Sequence, residues 1–600
     1  MLHEEMNKFE LVVIPATGTG HLTSTVELAN ILVTQDELLS VARLTHKLPF
    51  NPNMAQNITF CILCGKICTH SSSSLNAFEM QRHDITSSSS SSSSFPSTNC
   101  YITSQTSPTS PCKTLQKMNK FELVFIPMPG MGHLVSTVEM ATLLVTRDPR
   151  LSITMLAMKM PFDSKASEYI QSLSESLSNN PSIRLIVLPE LPVPKDSKDL
   201  LLKVLLDSYK PHVKEAVSSL LTNPLAGFVL DMFTTTMVDV AKELGVPSYV
   251  YYTSSAAYLA FSLHLEEIYR QKNSNEAVNP QFKNPDFDLR VSSLIHPIPS
   301  KVIPGIFFME KGAVWIYEET KRLRTEMKGI LINTCEELES HVICSLSSDS
   351  SLNLPPLYSI GPILHLKNNK IEGTDRADVL KWLDEQPPSS VVFLCFGSRG
   401  SFEKDQVEEI AEGLERSGVR FVWTLRKPPP KEVFQDPTDY TDFKDILPEG
   451  FLDRTAEVGR VIGWAPQVEI LGHPATGGFV SHCGWNSTLE SLWHGVPMAT
   501  WPMYAEQQFN AYEMVVELGL AVEITVEYRK EGAGDEPRVV SGEEIERGIR
   551  KLMEEDSEVR KKVKGVSEES RRCVMEGGSS YISTGKFIED VLARSPGGRC

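Results

Sequence analysis

The sequence predicts an α/β protein of two domains, each a parallel sheet covered by helices on both faces. Three observations carry this. Short apolar runs alternate with amphipathic stretches from Met118 onward, which is the pattern of parallel βα units. Two such series are separated by a proline-bearing break near Pro355–Pro362. A chain of 600 residues also exceeds the size at which one hydrophobic core keeps growing.

Taken in order, Phe121–Pro127 is an apolar run closed by a Pro/Gly turn, the signature of a buried strand. Val135–Val145 has helical periodicity. Ile153–Met158, Ile183–Val187 and Gly227–Leu230 are further strands. The second series opens with strand Val391–Phe396, then helix Gln406–Ser417 and strand Phe421–Leu425. Strand Gly477–Ser481 and a helix through Leu489–Trp493 follow. Two facing Rossmann-like domains are the expected result.

The amino-terminal region is of another kind. Met6-Asn7-Lys8-Phe9-Glu10-Leu11-Val12 recurs as Met118-Asn119-Lys120-Phe121-Glu122-Leu123-Val124, and the spacing holds from Gly20-His21-Leu22 to Gly132-His133-Leu134. The likeness ends after Phe50, matched to Phe162. Between the copies lie serine runs at 71–74 and 87–94, too poor in apolar surface to offset chain entropy. Residues 1–117 therefore read as a truncated duplicate of the first βαβ unit plus a disordered linker. Cys61, Cys64, Cys68 and His70 lack the second ligand pair of a structural zinc site.

Net charge −18 argues against nucleic acid or an anionic membrane as partner. No apolar run is long enough to span a bilayer, and no basic, apolar leader opens the chain. Eleven scattered cysteines fit reduced thiols. A cytoplasmic monomer is expected.

The most informative stretch is Trp464–Gln507, WAPQVEILGHPATGGFVSHCGWNSTLESLWHGVPMATWPMYAEQ. It reads as a strand, a tight turn and a helix start. Unpaired N–H groups and the helix dipole there favour a phosphate. Read alone, the turn also fits an ordinary capped βα junction. Over its 44 positions, however, the segment resembles the signature box of plant family-1 UDP-sugar-dependent glycosyltransferases, and the resemblance extends over about 118–600. The closest likeness is to the subgroup acting on flavonoids, other phenolics, terpenoids and abscisic acid.

That resemblance implies a GT-B fold, with an acceptor-binding domain at 118–360 and a UDP-sugar-binding domain at 361–600, the last helix packing back on the acceptor domain. It implies that Trp464 stacks on uracil, Ala465 pairs with its edge, and Glu490 accepts the ribose hydroxyls. His482, Asn486, Ser487 and Ser398 would hold the diphosphate, with Gln467 in the same nucleotide-binding set. Trp485, Glu506 and Gln507 would read the sugar, and Gln507 implies glucose. Thr253 matches a position that contacts the donor sugar.

Transfer to a hydroxyl needs a base, for which a positioned imidazole is suited. His133 follows the first strand in a glycine-bearing loop. Gly130-x-Gly132 lacks the third glycine of a dinucleotide fingerprint. Asp231 ends an apolar strand, a costly place for an unpaired carboxylate. It could orient the imidazole or cap the helix near Thr234, and the family places a His–Asp pair at these two positions. The implied reaction is inverting, giving a β-glucoside of a small apolar acceptor. UDP-glucose is then a co-substrate, with no cofactor and no metal. Asp286-x-Asp288 sits in a Pro/Asn-rich loop and is expected to be solvated. The alternative is a catalytically silent UDP-sugar-binding paralogue.

Overall fold

The computed structural model describes residues 9–13, 39–43, 120–160, 164–178, 180–192, 200–220, 223–272, 277–366, 374–430, 435–527 and 538–595. The chain forms two compact units, Met1–Pro111 and Cys112–Cys600. In the first, β1 (Phe9–Val13) and β2 (Leu39–Arg43) pair in parallel, with Phe9 opposite Leu39. The serine runs, the Cys61–His70 group and His21 lie outside the described residues.

The second unit holds two parallel sheets. One contains β3 (Phe121–Ile126), β4 (Leu151–Ala157), β5 (Ile183–Val187), β6 (Leu225–Asp231), β7 (Ser248–Tyr252), β8 (Ile330–Ile332) and β9 (Leu357–Ser359). Their spatial order is β9-β8-β7-β6-β3-β4-β5. The other contains β10 (Val391–Cys395), β11 (Arg420–Thr424), β12 (Gly459–Ile462), β13 (Thr476–Ser481), β14 (Met498–Thr500) and β15 (Ala521–Glu523), in the order β12-β11-β10-β13-β14-β15. In each sheet the order reverses once, between β3 and β6 and between β10 and β13. Such switch points open a crevice at the carboxyl ends of the strands, where α/β sheets bind ligands.

The helices that matter below are α1 (Met131–Arg147), α2 (Ala256–Lys272), α3 (Glu336–Ser348), α4 (Trp485–His494), α5 (Gln507–Tyr512), α6 (Glu558–Cys573) and α7 (Ser579–Arg594). The final helix lies on the first sheet. Phe587 meets the rings of Tyr249 and Tyr358 edge-on, and the Tyr358 hydroxyl donates to Asp590.

The apolar runs form strands because both sheet faces are covered: Leu123, Val124, Phe125 and Ile126 are all fully buried. Glu122, at the head of that run, is also buried. It accepts from Ser152 Oγ (2.5 Å), Thr154 Oγ1 (2.6 Å) and Asn223 Nδ2 (3.0 Å), so its charge is met by hydroxyls and an amide. Strand ends differ from the sequence reading by a residue or two. Pro127, for example, falls outside β3, having no N–H for a ladder. Six strands, β7, β8, β9, β12, β14 and β15, are not among those named from sequence, and among the named elements the larger difference is α1, which begins at Met131 rather than Val135. Gly130 caps it in extended conformation, and Leu134 N–H already donates to the Gly130 carbonyl at 2.9 Å. His133 is thus in the first turn of a helix, not in a loop.

Candidate functional site

The switch points bring the two motif groups together. β3 and β6 are hydrogen-bonded neighbours, with Ile126 opposite Leu230, so the turn after β3 and the end of β6 share one corner. His133 Nδ1 lies 2.7 Å from Asp231 Oδ2. The Asp231 side chain is 1% exposed and that of His133 29%, so the carboxylate is sealed while the imidazole faces the cleft. With the carboxylate as acceptor, Nδ1 carries the proton and Nε2 keeps its lone pair. Asp231 Oδ1 accepts from Phe233 N–H at 3.0 Å and fixes the following turn, but the short helix after it is capped at Thr234 with no side-chain bond, so Asp231 does not cap it. Thr253 Oγ1 is 3.0 Å from His133 Nδ1. This hydroxyl, expected beside the sugar, therefore also touches the histidine.

Burial works to lower the His133 pKa. The charge and hydrogen bond of Asp231, with the more distant charge of Glu506, outweigh it and hold the imidazole above its ordinary value.

Across the cleft, Gly397 follows β10 and His482 follows β13. Gly397 has φ +73°, and a Cβ there would lie 2.5 Å from His482 Nε2. Only glycine permits that approach. Burial drives the His482 pKa down to about 4, so this ring is a neutral hydrogen-bonding group and not a cation. α4 starts at Trp485 with no side-chain cap at Gly484, leaving its first N–H groups for an anion. Gln467 Nε2 donates to Ser487 Oγ (2.8 Å) and Glu490 Oε2 (2.6 Å). Burial raises the Glu490 pKa to about 7, against the Gln467 hydrogen bond and the His365 charge. Trp464 is half-buried, with the Arg426 guanidinium 5.2 Å from its ring centroid. Ser398, Trp464, Ala465, Gln467, His482, Asn486, Ser487, Glu490, Glu506 and Gln507 all line one cleft of about 950 Å³ that also holds His133 and Thr253.

Three of the expected sugar and phosphate contacts are already engaged within the protein. Trp485 Nε1 donates to the Asn333 carbonyl at 2.7 Å, so the indole N–H bonds the other sheet's half. Asn486 Nδ2 donates to the Gly132 carbonyl at 2.9 Å. Gln507 Oε1 accepts from Met503 N–H (3.0 Å) and Tyr504 N–H (3.1 Å). Its oxygen builds the local turn, and only its NH2 group can serve a sugar. Glu506 remains a carboxyl in the cleft, its pKa raised by burial.

The sequence reading missed the apolar end of the cleft. Phe233 stacks on Trp315 (5.4 Å between centroids, 25° between planes) and lies 5.7 Å from the His133 ring. Leu200, Ile306 and Ile316 extend that wall. It also missed Asn333, whose side-chain oxygen accepts from Ile363 N–H at 2.7 Å. These residues come from distant segments, and no local spacing marks them. Asp286 and Asp288 are exposed and do not line the cleft.

Residues 371–531 match the family model described as UDP-glucoronosyl and UDP-glucosyl transferase. A Fragaria ananassa protein named putative UDP-glucose flavonoid 3-O-glucosyltransferase 3 is 52% identical over 483 residues, covering 78% of this chain and 99% of that protein. Anthocyanidin 3-O-glucosyltransferase 1 of Manihot esculenta is 49% identical over 470 residues, covering 77% and 100%. Among solved structures, a Siraitia grosvenorii transferase in complex with UDP superposes with a TM-score of 0.70 at 52% identity, covering 79% of this chain and all of the other. A Medicago truncatula transferase complexed with UDP-glucose gives 0.70 at 42% identity, covering 79% and 98%. With two parallel sheets meeting at a shared cleft and relatives about half identical along nearly their whole length, the chain belongs to the plant family-1 UDP-glycosyltransferases, enzymes of the GT-B fold.

Proposed function

We propose that this enzyme moves glucose from UDP-glucose to a hydroxyl of a small, flat, apolar acceptor, with inversion to the β-glucoside. The observation that carries the proposal is the His133–Asp231 pair at 2.7 Å, opening onto the same cleft as the Trp464–Gln507 segment. The acceptor lies against Phe233 and Trp315, and its hydroxyl proton passes to His133 Nε2. The oxygen attacks C1 of glucose as the bond to UDP breaks, and the single displacement inverts that carbon. Asp231 holds the tautomer and meets the charge of the imidazolium. The leaving diphosphate is met by the first N–H groups of α4, by Ser487 and Ser398, and by neutral His482. Trp464 stacks on uracil, Ala465 pairs with its edge, and Glu490 takes the ribose hydroxyls. Glu506 and the Gln507 NH2 group bind the sugar. The chemistry asks for no metal and no cofactor.

The domain division at about residue 360 belongs to the same reading, as does action by a single cytoplasmic chain. No helix among the described residues is long and apolar enough to cross a membrane. The flavonoid and anthocyanidin acceptors in the relatives' names agree in chemistry with the aromatic wall.

The test is incubation with UDP-glucose, UDP-galactose and UDP-xylose against a phenolic panel, with product anomers read by NMR. β-Glucosides formed fastest from UDP-glucose are expected. An α-linked product, or faster turnover with another sugar, overturns the corresponding part. UDP binding with no transfer to any acceptor favours the silent paralogue.

A further inference from the structure

A pair of thiols outside the cleft sits where the two halves of the second unit are tied together. Cys335 precedes α3, two residues after Asn333, whose carbonyl holds the Trp485 indole. Cys573 ends α6, which packs against α3 and is bonded to α4 through Ser567 Oγ and Arg571, both donating to the Trp493 carbonyl. Both cysteines are 1% exposed. Their sulfurs and a Glu337 carboxylate oxygen lie within 4.8 Å of one another. The segment joining the two sheets runs past them. The Gly361 carbonyl accepts from Ser580 Oγ at 2.5 Å, with Cys573 Sγ 3.6 Å away.

We propose that Cys335 and Cys573 are an oxidation site, and that a disulfide between them staples the end of β8 to the carboxyl-terminal helices across this joint. The oxidant is a small peroxide, which can reach sulfurs that a bulky disulfide cannot. Cys573 is the attacking sulfur: the Cys335 thiol donates to it and lowers its pKa, while Cys335 itself is raised. The thiolate attacks hydrogen peroxide, giving a sulfenic acid and hydroxide, which takes the thiol proton to become water. The Cys335 sulfur then displaces the sulfenic oxygen, which leaves as a second water with the remaining proton. Two thiols and one peroxide become one disulfide and two waters. The sulfurs lie within 4.8 Å and close to about 2.05 Å when they bond. The consequence follows from what the staple joins. Exchange of UDP for UDP-sugar requires the halves to part, and a bond from Cys335 to α6 opposes that.

The test uses the full chain, reduced, freed of reductant, treated with hydrogen peroxide, alkylated and mapped by mass spectrometry without reduction. A Cys335–Cys573 cross-linked peptide is expected, with loss of most turnover and its return on adding dithiothreitol. Cys335→Ser and Cys573→Ser should keep basal turnover and resist the peroxide. Oxidation confined to exposed Cys344 overturns the proposal, as does stoichiometric zinc found by elemental analysis to protect both thiols. A cross-link that leaves turnover unchanged overturns the staple. The effect on turnover rests on the proposed transfer, but the peptide map does not, so failure of one is distinguishable from failure of the other.

Discussion

His133 has one nitrogen on a sealed carboxylate and the other on the cleft, so Asp231 sets both its tautomer and its charge. With His133 as the proposed base, which must be neutral to act, transfer is expected to fall as pH drops through the raised pKa. Asp231→Asn removes the charge that raises it, so the acid limb of kcat/KM moves to lower pH. The rate falls by about 10²- to 10⁴-fold, while UDP affinity stays near that of the unaltered enzyme. A pH–rate profile with UDP titration checks this; an unmoved acid limb assigns the base elsewhere. The same shift has a stability sign. The protonated pair stabilises the fold fully below the unfolded value of about 6.5, and that contribution is lost as pH rises through the folded one. The enzyme therefore works where this stabilisation has gone. Glu490 gives a second case. In its proposed place at the ribose, its pKa near 7 means that ribose hydroxyls, which would donate to the ionised form, favour proton loss on binding. UDP affinity should weaken as pH falls below about 7, by up to about tenfold per unit. Calorimetry in buffers of different ionisation heat should detect proton release with UDP, absent in Glu490→Gln.

At the scale of elements, the turns after β10 and β13 form one device. Gly397 at positive φ lets the chain pass against the His482 ring, and uncapped α4 follows directly. Gly397→Ala should cost about 1–2 kcal/mol for the left-handed backbone. It should also displace His482 and weaken UDP binding with little change in the acceptor KM. Thermal unfolding with UDP titration checks both, and unchanged UDP affinity would show that His482 is not a phosphate ligand. This is also the scale at which sequence legibility divides. Trp464–Gln507 is contiguous, and its strand–turn–helix order follows from periodicity and glycine placement. Asp231 is legible at a strand end and His133 after a glycine-bearing turn, but their pairing depends on β3 and β6 being neighbours. That adjacency is a property of the switch in strand order, which no local spacing encodes. Asn333, Phe233 and Trp315 are less legible still, since each becomes informative only through a partner from another segment. Gln507 shows the opposite limit: it is expected to read the sugar, yet two backbone N–H groups claim its oxygen and leave only its NH2 group for that role.

For the whole molecule, the question is which copy of the repeated unit serves the site. β1 pairs with β2 in the register that β3 uses with β4: Phe9 opposite Leu39, Phe121 opposite Leu151, each displaced by the repeat. The two copies are nonetheless not interchangeable. Thr154, which donates to buried Glu122, corresponds to Ala42 in the first copy, and Met155, fully buried, corresponds to Arg43. Placing the first copy in the large sheet would leave Glu10 one hydroxyl short, costing about 1–3 kcal/mol. It would also bury an arginine in an apolar layer, which costs several more. Loop closure adds only about 0.6 kcal/mol per doubling of length, so side chains and not chain entropy decide against the exchange. Residues 1–117 should therefore be dispensable and His21 not catalytic. Among the described residues β1 and β2 find no third strand, and a two-stranded pair is marginal in water and prone to association. A chain beginning at Met118 should keep full transfer activity and scatter less light than the full-length protein at equal concentration. Full-length His21→Ala should match the unaltered enzyme. If both lose activity while His133→Ala retains it, the first copy holds the site.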